Sequence, residues 1–330
     1  MKSILFFIVT VLFFSGCSSK QYYSPDNEAL EFEFPNKIIT TPSYIKTINA
    51  NGATTKDNRV INAFGISGFH LADGYEYLNS YEDEIIAADK RGNLYLSESN
   101  ITLEFNTNTI AATKKDNLLA LVFSDNSFAV YDIEEKKFKL KEYLEPSFVN
   151  DTRIAMPLIL NKIILFPTLD GKIVIVDNES FKITRTLSVD LQNEVNNIVL
   201  LQTIGDTLVA ATANKIVSLN NGRFNTKELH IQNYTLDDKA IYLALLDGNI
   251  LKLDFDLKIL ESKKFKFAKF HAIALDNQKN IYLVESQGYV VKLSSDFKSH
   301  GVEKISFFED EKIYTNRNKI YFENKLLKLD

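Results

Sequence analysis

The sequence predicts an all-β protein built as a β-propeller of four-stranded blades, and two observations predict it. Apolar runs of four to six residues occur in pairs, each pair joined by a short turn rich in Asp, Asn and Gly, and the pairs return about every 40 residues. The paired runs are also apolar nearly throughout instead of strictly alternating, so both faces of each strand are expected to be buried. A blade packed between two neighbouring blades supplies that environment, whereas a sandwich gives no such period and a β-helix rung is much shorter.

The chain opens with Met1-Lys2-Ser3, continues through eleven uncharged residues from Ile4 to Phe14, and reaches Ser15-Gly16-Cys17. A positive end, a short apolar stretch and a small-residue cleavage site are the parts of an export signal. A bilayer-spanning helix needs about 20 apolar residues, so residues 1–16 are read as a signal that is removed. Cys17 is the only cysteine among 330 residues. With its small neighbours it resembles the lipobox of bacterial lipoproteins, with Phe14 in place of the usual aliphatic residue. The resemblance implies that Cys17 is acylated and becomes the first residue of the mature chain. Two or three acyl chains, at about 0.8 kcal/mol per buried methylene, would give stable membrane attachment. No thiol would then remain for a disulfide, and the exported domain must rest on its core.

Residues 17–27 are polar, contain Pro25 and lack periodicity, so they are expected to tether the lipid to a propeller domain over 28–330. The clearest hairpins run from Ile163 to Asp177 through Asp170-Gly171 and from Ile241 to Asp254 through Asp247-Gly248. Five more run from Ile85 to Leu96, Leu118 to Asp132, Leu208 to Leu219, Ile281 to Leu293 and Ile313 to Phe322. The second strands begin at Asn93, Ser127, Lys172, Lys215, Asn249, Tyr289 and Lys319, spaced by 34, 45, 43, 34, 40 and 30 residues. Ala155 to Leu160 before one hairpin suits an inner strand, and the alternating Phe181 to Val189 after it suits a half-exposed outer strand. Tyr44 to Leu78 can form an eighth, irregular unit, and Ala29 to Phe34 is a candidate to close the ring. Eight blades are expected, with seven as the alternative.

The lipobox, the short tether and about eight Asp-Gly hairpin repeats together resemble the quinoprotein-like, or PQQ-repeat-like, propellers, and within them the BamB lipoproteins of the outer-membrane β-barrel assembly machinery. The resemblance implies a non-enzymatic scaffold on the periplasmic face of the outer membrane that assists outer-membrane protein assembly. Ser18 after the cysteine agrees with the sorting rule of enteric outer-membrane lipoproteins. The repeat of that family ends its outer strand with a tryptophan that docks the next blade, and this chain has no Trp. Phe138, Phe181, Leu260 and Phe297 stand roughly where such an anchor is expected.

Little in the sequence points to chemistry. Without the signal, 37 basic side chains face 43 acidic ones, a mildly acidic balance that offers no stripe for nucleic acid. His70, His230, His271 and His300 lie far apart and form no zinc-like pair. His271, at the start of the expected inner run Phe270 to Leu275, is the best candidate for a polar group lining the channel. The two Asp-Gly turns lack calcium-loop spacing, Gly65-Ile66-Ser67-Gly68 is one residue short of a nucleophile elbow and reads as a bend, and no phosphate loop is present. Neither a cofactor nor a metal is expected. The mixed runs Glu134 to Lys137 and Glu309 to Lys312 read as solvated loops. The widest gap between hairpins, Tyr143 to Arg153, carries Tyr143, Phe148 and Arg153 and is the candidate partner-binding loop. A periplasmic ligand-binding or catalytic propeller that uses the central channel is the alternative function; the inner strands identified are mostly apolar, which argues against it.

Overall fold

The computed structural model describes residues 21–26, 29, 38–147, 153–193, 196–305 and 312–329. These form eight antiparallel sheets of four strands each, the blades of a β-propeller. Blades 1 to 7 are consecutive in sequence. Blade 1 runs from strand Ile45–Ile48 to Gly65–His70, blade 2 from Glu76–Tyr81 to Ile101–Glu104, and blade 3 from Thr109–Lys115 to Lys137–Tyr143. Blade 4 runs from Leu158–Ile159 to Ile183–Ser188, blade 5 from Leu200–Ile204 to Arg223–Glu228, blade 6 from Ile231–Leu236 to Ile259–Lys264, and blade 7 from Phe270–Leu275 to His300–Lys304. Blade 8 combines three C-terminal strands, Ile313–Asn316, Lys319–Phe322 and Lys325–Lys328, with Ile38–Thr40 from the other end of the chain.

That last pairing closes the ring, with Ile38, Ile39 and Thr40 opposite Leu327, Leu326 and Lys325. The closing strand is therefore Ile38–Thr40, not Ala29 to Phe34; of the latter only Ala29 is described, and the rest lies outside the described residues. The final hairpin also needs reassignment. Ile313 to Phe322 is the first and second strand of its blade, whereas the other six hairpins are second and third strands. This explains the short last spacing, because the marker there was taken one strand too early. Gly65-Ile66-Ser67-Gly68 is likewise part of the outermost strand of blade 1 and not a bend.

The second and third strands bury both faces because each blade is sandwiched between two others. Leu118–Phe123 and Ile281–Glu285 are buried almost end to end, while the outermost strands Ile183–Ser188 and Ile259–Lys264 are largely exposed. Interblade packing is partly aromatic: Phe128 of blade 3 lies 4.7 Å from Phe166 of blade 4, centroid to centroid.

One joint is repeated in all eight blades. The residue just after the outermost strand donates its backbone N–H to the carbonyl of the Gly or Asn just before the third strand of the same blade. The pairs are Thr41 to Asn324, Leu71 to Asn58, Phe105 to Gly92, Leu144 to Asn126, Val189 to Gly171, Leu229 to Asn214, Phe265 to Gly248 and Ile305 to Gly288, at 2.7 to 3.3 Å. Seven of these donors are apolar, and Leu71, Phe105, Val189 and Phe265 are buried. They occupy the place of the absent tryptophan.

The expected anchors divide accordingly. Phe138 and Leu260 are 38% and 47% exposed on outer strands, although the Phe138 ring still meets Phe105 at the end of blade 2, with centroids 5.7 Å apart. Phe297 is buried and Phe181 half-buried, but both sit at turns between third and outermost strands, at the opposite end of the blade. At the equivalent turn of blade 6 the buried residue is Leu257, not Leu260. Leu257, Phe297 and Phe181 all adopt positive φ, of 62°, 61° and 55°. That conformation costs a bulky residue about 1–3 kcal/mol. It is offset by burying the side chain and closing the turn, as Leu257 N–H donates to Asp254 and Phe297 N–H to Ser294.

Candidate functional site

The ring has two faces. One carries the turns between second and third strands together with the blade-to-blade connections; the other carries the remaining turns. A channel runs between them, with a volume of about 1410 Å³.

Its wall is part polar and part apolar, with Leu158, Ile159 and Leu201 among the apolar residues, whereas the inner strands were expected to be mostly apolar. Asn79, Thr113, Gln202, Asn233, Thr235 and Thr315 of the innermost strands line it, with Asn49, Asn51, Asn62 and Asn316 at strand ends. Alternation explains the difference. On an innermost strand only one set of side chains packs between blades, as Ala112 and Ile231 do, while strand twist turns the other set toward the axis.

Many of these polar groups join blade to blade. Asn79 Nδ2 donates to Ala112 O at 2.9 Å, Thr113 Oγ1 to Pro157 O at 2.7 Å and Asn233 Nδ2 to Phe270 O at 3.0 Å. Tyr234 Oη donates to Val199 O at 2.7 Å and Tyr314 Oη to Asn51 O at 2.8 Å. Asn49 Nδ2 reaches Tyr77 O. Burial pushes the Tyr314 hydroxyl well above its ordinary range, so it remains a neutral donor. Five innermost strands also carry a bulge, at Lys46, Leu78, Ile110, Gln232 and His271. A bulge re-aims side chains where the sheet edge meets the channel.

The histidines take separate places. His271 is on innermost strand Phe270–Leu275 and lines the channel, as does His230, whose Nδ1 lies 3.1 Å from Asn214 Oδ1. His70 accepts from Arg59 Nε at 2.8 Å on the outer strand of blade 1. His300 lies against Phe265 with centroids 5.2 Å apart; burial, then the nearby Lys263, holds its pKa below the usual value. Among the described residues no group of three or more His, Cys, Asp or Glu is placed to hold a metal ion. The lining offers amides, hydroxyls and a few charges, chemistry suited to binding polar groups. One charge pair sits at the far mouth, where Asp237 meets Lys279 Nζ at 3.2 Å. Burial acts to raise the Asp237 pKa, but the N–H groups of Lys239 and Ala240 and the Lys279 ammonium outweigh it and hold the carboxyl below its usual range.

The candidate partner loop connects blades 3 and 4. Tyr143 ends the outermost strand of blade 3 and is 66% exposed, with Lys141 Nζ 5.3 Å from its ring centroid. The stem beyond is pinned: Asn126 Nδ2 donates to Glu145 O at 2.7 Å, and Ser147 Oγ donates to Leu169 O at 2.8 Å. Phe148 lies outside the described residues. Arg153 is turned inward, its guanidinium reaching Gln232 O of blade 6 across the channel mouth, while its carbonyl accepts from Asn197 Nδ2 at 2.8 Å. Tyr143 and Arg153 are thus not brought together; one marks the periphery and the other the channel. Of the charged runs, Glu134 to Lys137 is an exposed turn of blade 3, with Lys139 bridging Asp132 at 3.4 Å and Glu135 at 2.5 Å. Residues 309–311 of the other lie outside the described residues.

Cys17 also lies outside them, but Tyr23 does not. Within the stretch expected to act as a tether, Tyr23 is 7% exposed. Its ring meets Phe265 and Tyr289 edge-on at 6.2 and 5.9 Å, and its carbonyl accepts from Gln287 Nε2 at 2.9 Å. The N-terminal segment is thereby docked between blades 6 and 7, on the face that carries the connections.

Among solved structures, BamB from Moraxella catarrhalis superposes with a TM-score of 0.65 at 14% identity, covering 89% of this chain and 98% of that one. The chain is a BamB-like β-propeller in its fold. The computationally designed Ika8 protein gives a TM-score of 0.60 at 13% identity, with 91% and 98% covered. By sequence, the chain is 27% identical to the plasminogen-binding protein PgbB of Helicobacter pylori strain J99, over 99% of this chain and 71% of that protein. The protein of the same name from strain 26695 is 26% identical over 99% and 70%. No protein-family model matches the chain.

Proposed function

We propose that this BamB-like chain is a non-enzymatic, protein-binding propeller of the bacterial envelope, anchored by lipid on Cys17 after removal of residues 1–16. The observation that carries the reading is the similarity of 99% of the chain to a protein named for binding another protein, on a fold shared with BamB. The contact surface is the connection between blades 3 and 4: Tyr143 is an exposed aromatic on a stem fixed to its own blade and to blade 4, Arg153 stands apart from it at the channel mouth, and Phe148 is assigned to the surface by its place in the sequence alone. A rigid stem limits the ordering cost of binding, and exposed aromatics and arginines are the common anchors of interfaces. No cofactor or metal enters this role.

Two partner classes follow. The lipobox and the BamB-like fold favour an accessory of outer-membrane protein assembly, held on the periplasmic face of the outer membrane and presenting loops or a strand edge to barrel-assembly subunits or their extended substrates. The name of the Helicobacter pylori relatives favours plasminogen. One affinity capture of the detergent-extracted protein from its own host, with Cys17→Ala as control, and one binding titration against immobilised plasminogen separate them. Recovery of barrel-assembly subunits supports the first, and saturable plasminogen binding supports the second. Failure of both, with the protein itself well recovered, overturns the protein-binding reading in favour of a ligand in the channel.

A further inference from the structure

We infer that the face carrying Tyr23, at the junction of blades 6 and 7, lies against the lipid surface, and that Tyr22, Leu246 and Phe267 are its membrane contacts. The inference rests on the lipid-anchor reading of Cys17 and adds to it an orientation and a second, non-covalent contact.

Chain length supplies the first argument. Six residue steps separate Cys17 from Tyr23, so their Cα atoms can be no more than about 22 Å apart even when fully extended. Tyr23 is buried against Phe265 and Tyr289, which fixes where the anchored segment meets the ring. The face bearing Tyr23 is the one drawn toward the bilayer.

The second argument is what that face displays there. Leu246 at the turn of blade 6 is 55% exposed, Phe267 in the connection to blade 7 is 41% exposed, and Tyr22 beside the docked tyrosine is 58% exposed. They are held as a unit, because Phe265 N–H donates to Gly248 O at 2.9 Å and joins the connection to the turn. Phe267 is held at a φ of 64°, a strained conformation for a non-glycine residue, and yet its side chain is exposed. A strained, exposed aromatic with a lysine ammonium 4.9 Å from its ring centroid, that of Lys266, is a typical pairing for the interface between lipid headgroups and acyl chains. Lys269 is exposed beside it. Among the described residues the acidic groups nearby include Asp247, paired with Lys264 at 2.7 Å, the exposed Asp26 and the buried Glu285, and the exposed cations offered to lipid phosphates include Lys266 and Lys269.

The arrangement commits the molecule to a tilted posture. Blades 6 and 7 lie low, and the connection between blades 3 and 4, three blades round the ring, is lifted clear for a protein partner.

The test uses the full acylated chain in vesicles of phosphatidylcholine with one third phosphatidylglycerol. The native cysteine is blocked by lipid, so a fluorophore can be placed singly through Leu246→Cys or Phe267→Cys, with Phe64→Cys on the opposite face as control; Phe64 is 80% exposed. Quenching by a lipid-attached quencher should be at least threefold stronger at positions 246 and 267 than at 64. Tyr23→Ala should reduce that difference at least twofold. Equal quenching on the two faces, or stronger quenching at 64, overturns the orientation. Mass spectrometry of the mature N-terminal peptide separates the two claims. An unmodified Cys17 removes the anchor and the orientation together, whereas an acylated Cys17 with unquenched surface probes removes the orientation alone.

Discussion

At Gly248 the backbone adopts a φ of +82°, and a Cβ added there would run into the carbonyl oxygen of Phe265. Both the turn and the joint to the blade's own outermost strand therefore need glycine. Gly248→Ala should destabilise the fold by about 2 kcal/mol or more in urea titration. A second residue-scale expectation concerns Glu84. Burial acts to raise its pKa, but the N–H and hydroxyl of Ser99 and the Lys114 ammonium 3.0 Å away together hold it below the usual carboxylate range. A depressed folded-state pKa gives stability that is present above the unfolded value of 4.5 and lost as pH falls through the lower folded value. Glu84→Gln should therefore lower stability at pH 7 by roughly 2 kcal/mol, a buried ammonium losing its partner. It should also make unfolding less dependent on pH between 5 and 3, as measured by urea midpoints across that range. The turn glycines and asparagines were legible in the sequence because hairpins require them. The apolar residues they bond to were not: the interval from Gly92 to Phe105 is 13 residues and that from Gly171 to Val189 is 18, so no fixed spacing marks them.

At the scale of strands and blades, the joint between one blade's outer strand and its own turn replaces a tryptophan with residues of varied size. Phe265 is, with Phe105, the largest of the buried ones, and it also packs on Phe270, His300 and Tyr23. Phe265→Ala should cost about 3–5 kcal/mol in a urea titration and loosen the N-terminal segment. Faster proteolytic cleavage on the amino side of residue 29 would register the second effect. The hairpin strands were read with their correct partners wherever both faces are buried. Blade 8 was misread by one strand because a strand donated from the opposite end of the chain carries no local signal. The polar part of the channel wall has no clear signal in the sequence for a related reason. The runs that stood out in the sequence were the doubly buried second and third strands, whereas Asn79, Thr113 and Asn233 sit on innermost strands that alternate and look like ordinary half-exposed strands.

For the whole molecule, the ring is a stiff platform: eight blades closed by pairing Ile38–Thr40 with the C-terminal strand, and stitched around the channel by side-chain-to-carbonyl bonds. A platform of this kind serves recognition through what its loops present, and fold alone does not name the partner. The candidate loop was legible as the widest gap between hairpins, but the divergence of Tyr143 and Arg153 was not, since it depends on Arg153 reaching across to blade 6. The central claim is that protein binding runs through this loop. The measurement that tests it most directly is quantitative affinity capture from the native host, comparing the unaltered protein with Tyr143→Ala. One or more reproducible protein partners are expected, with recovery falling at least fivefold with Tyr143→Ala while the variant keeps its urea midpoint. A partner recovered undiminished by that variant, or no partner above the background of a tag-only control, would contradict that claim.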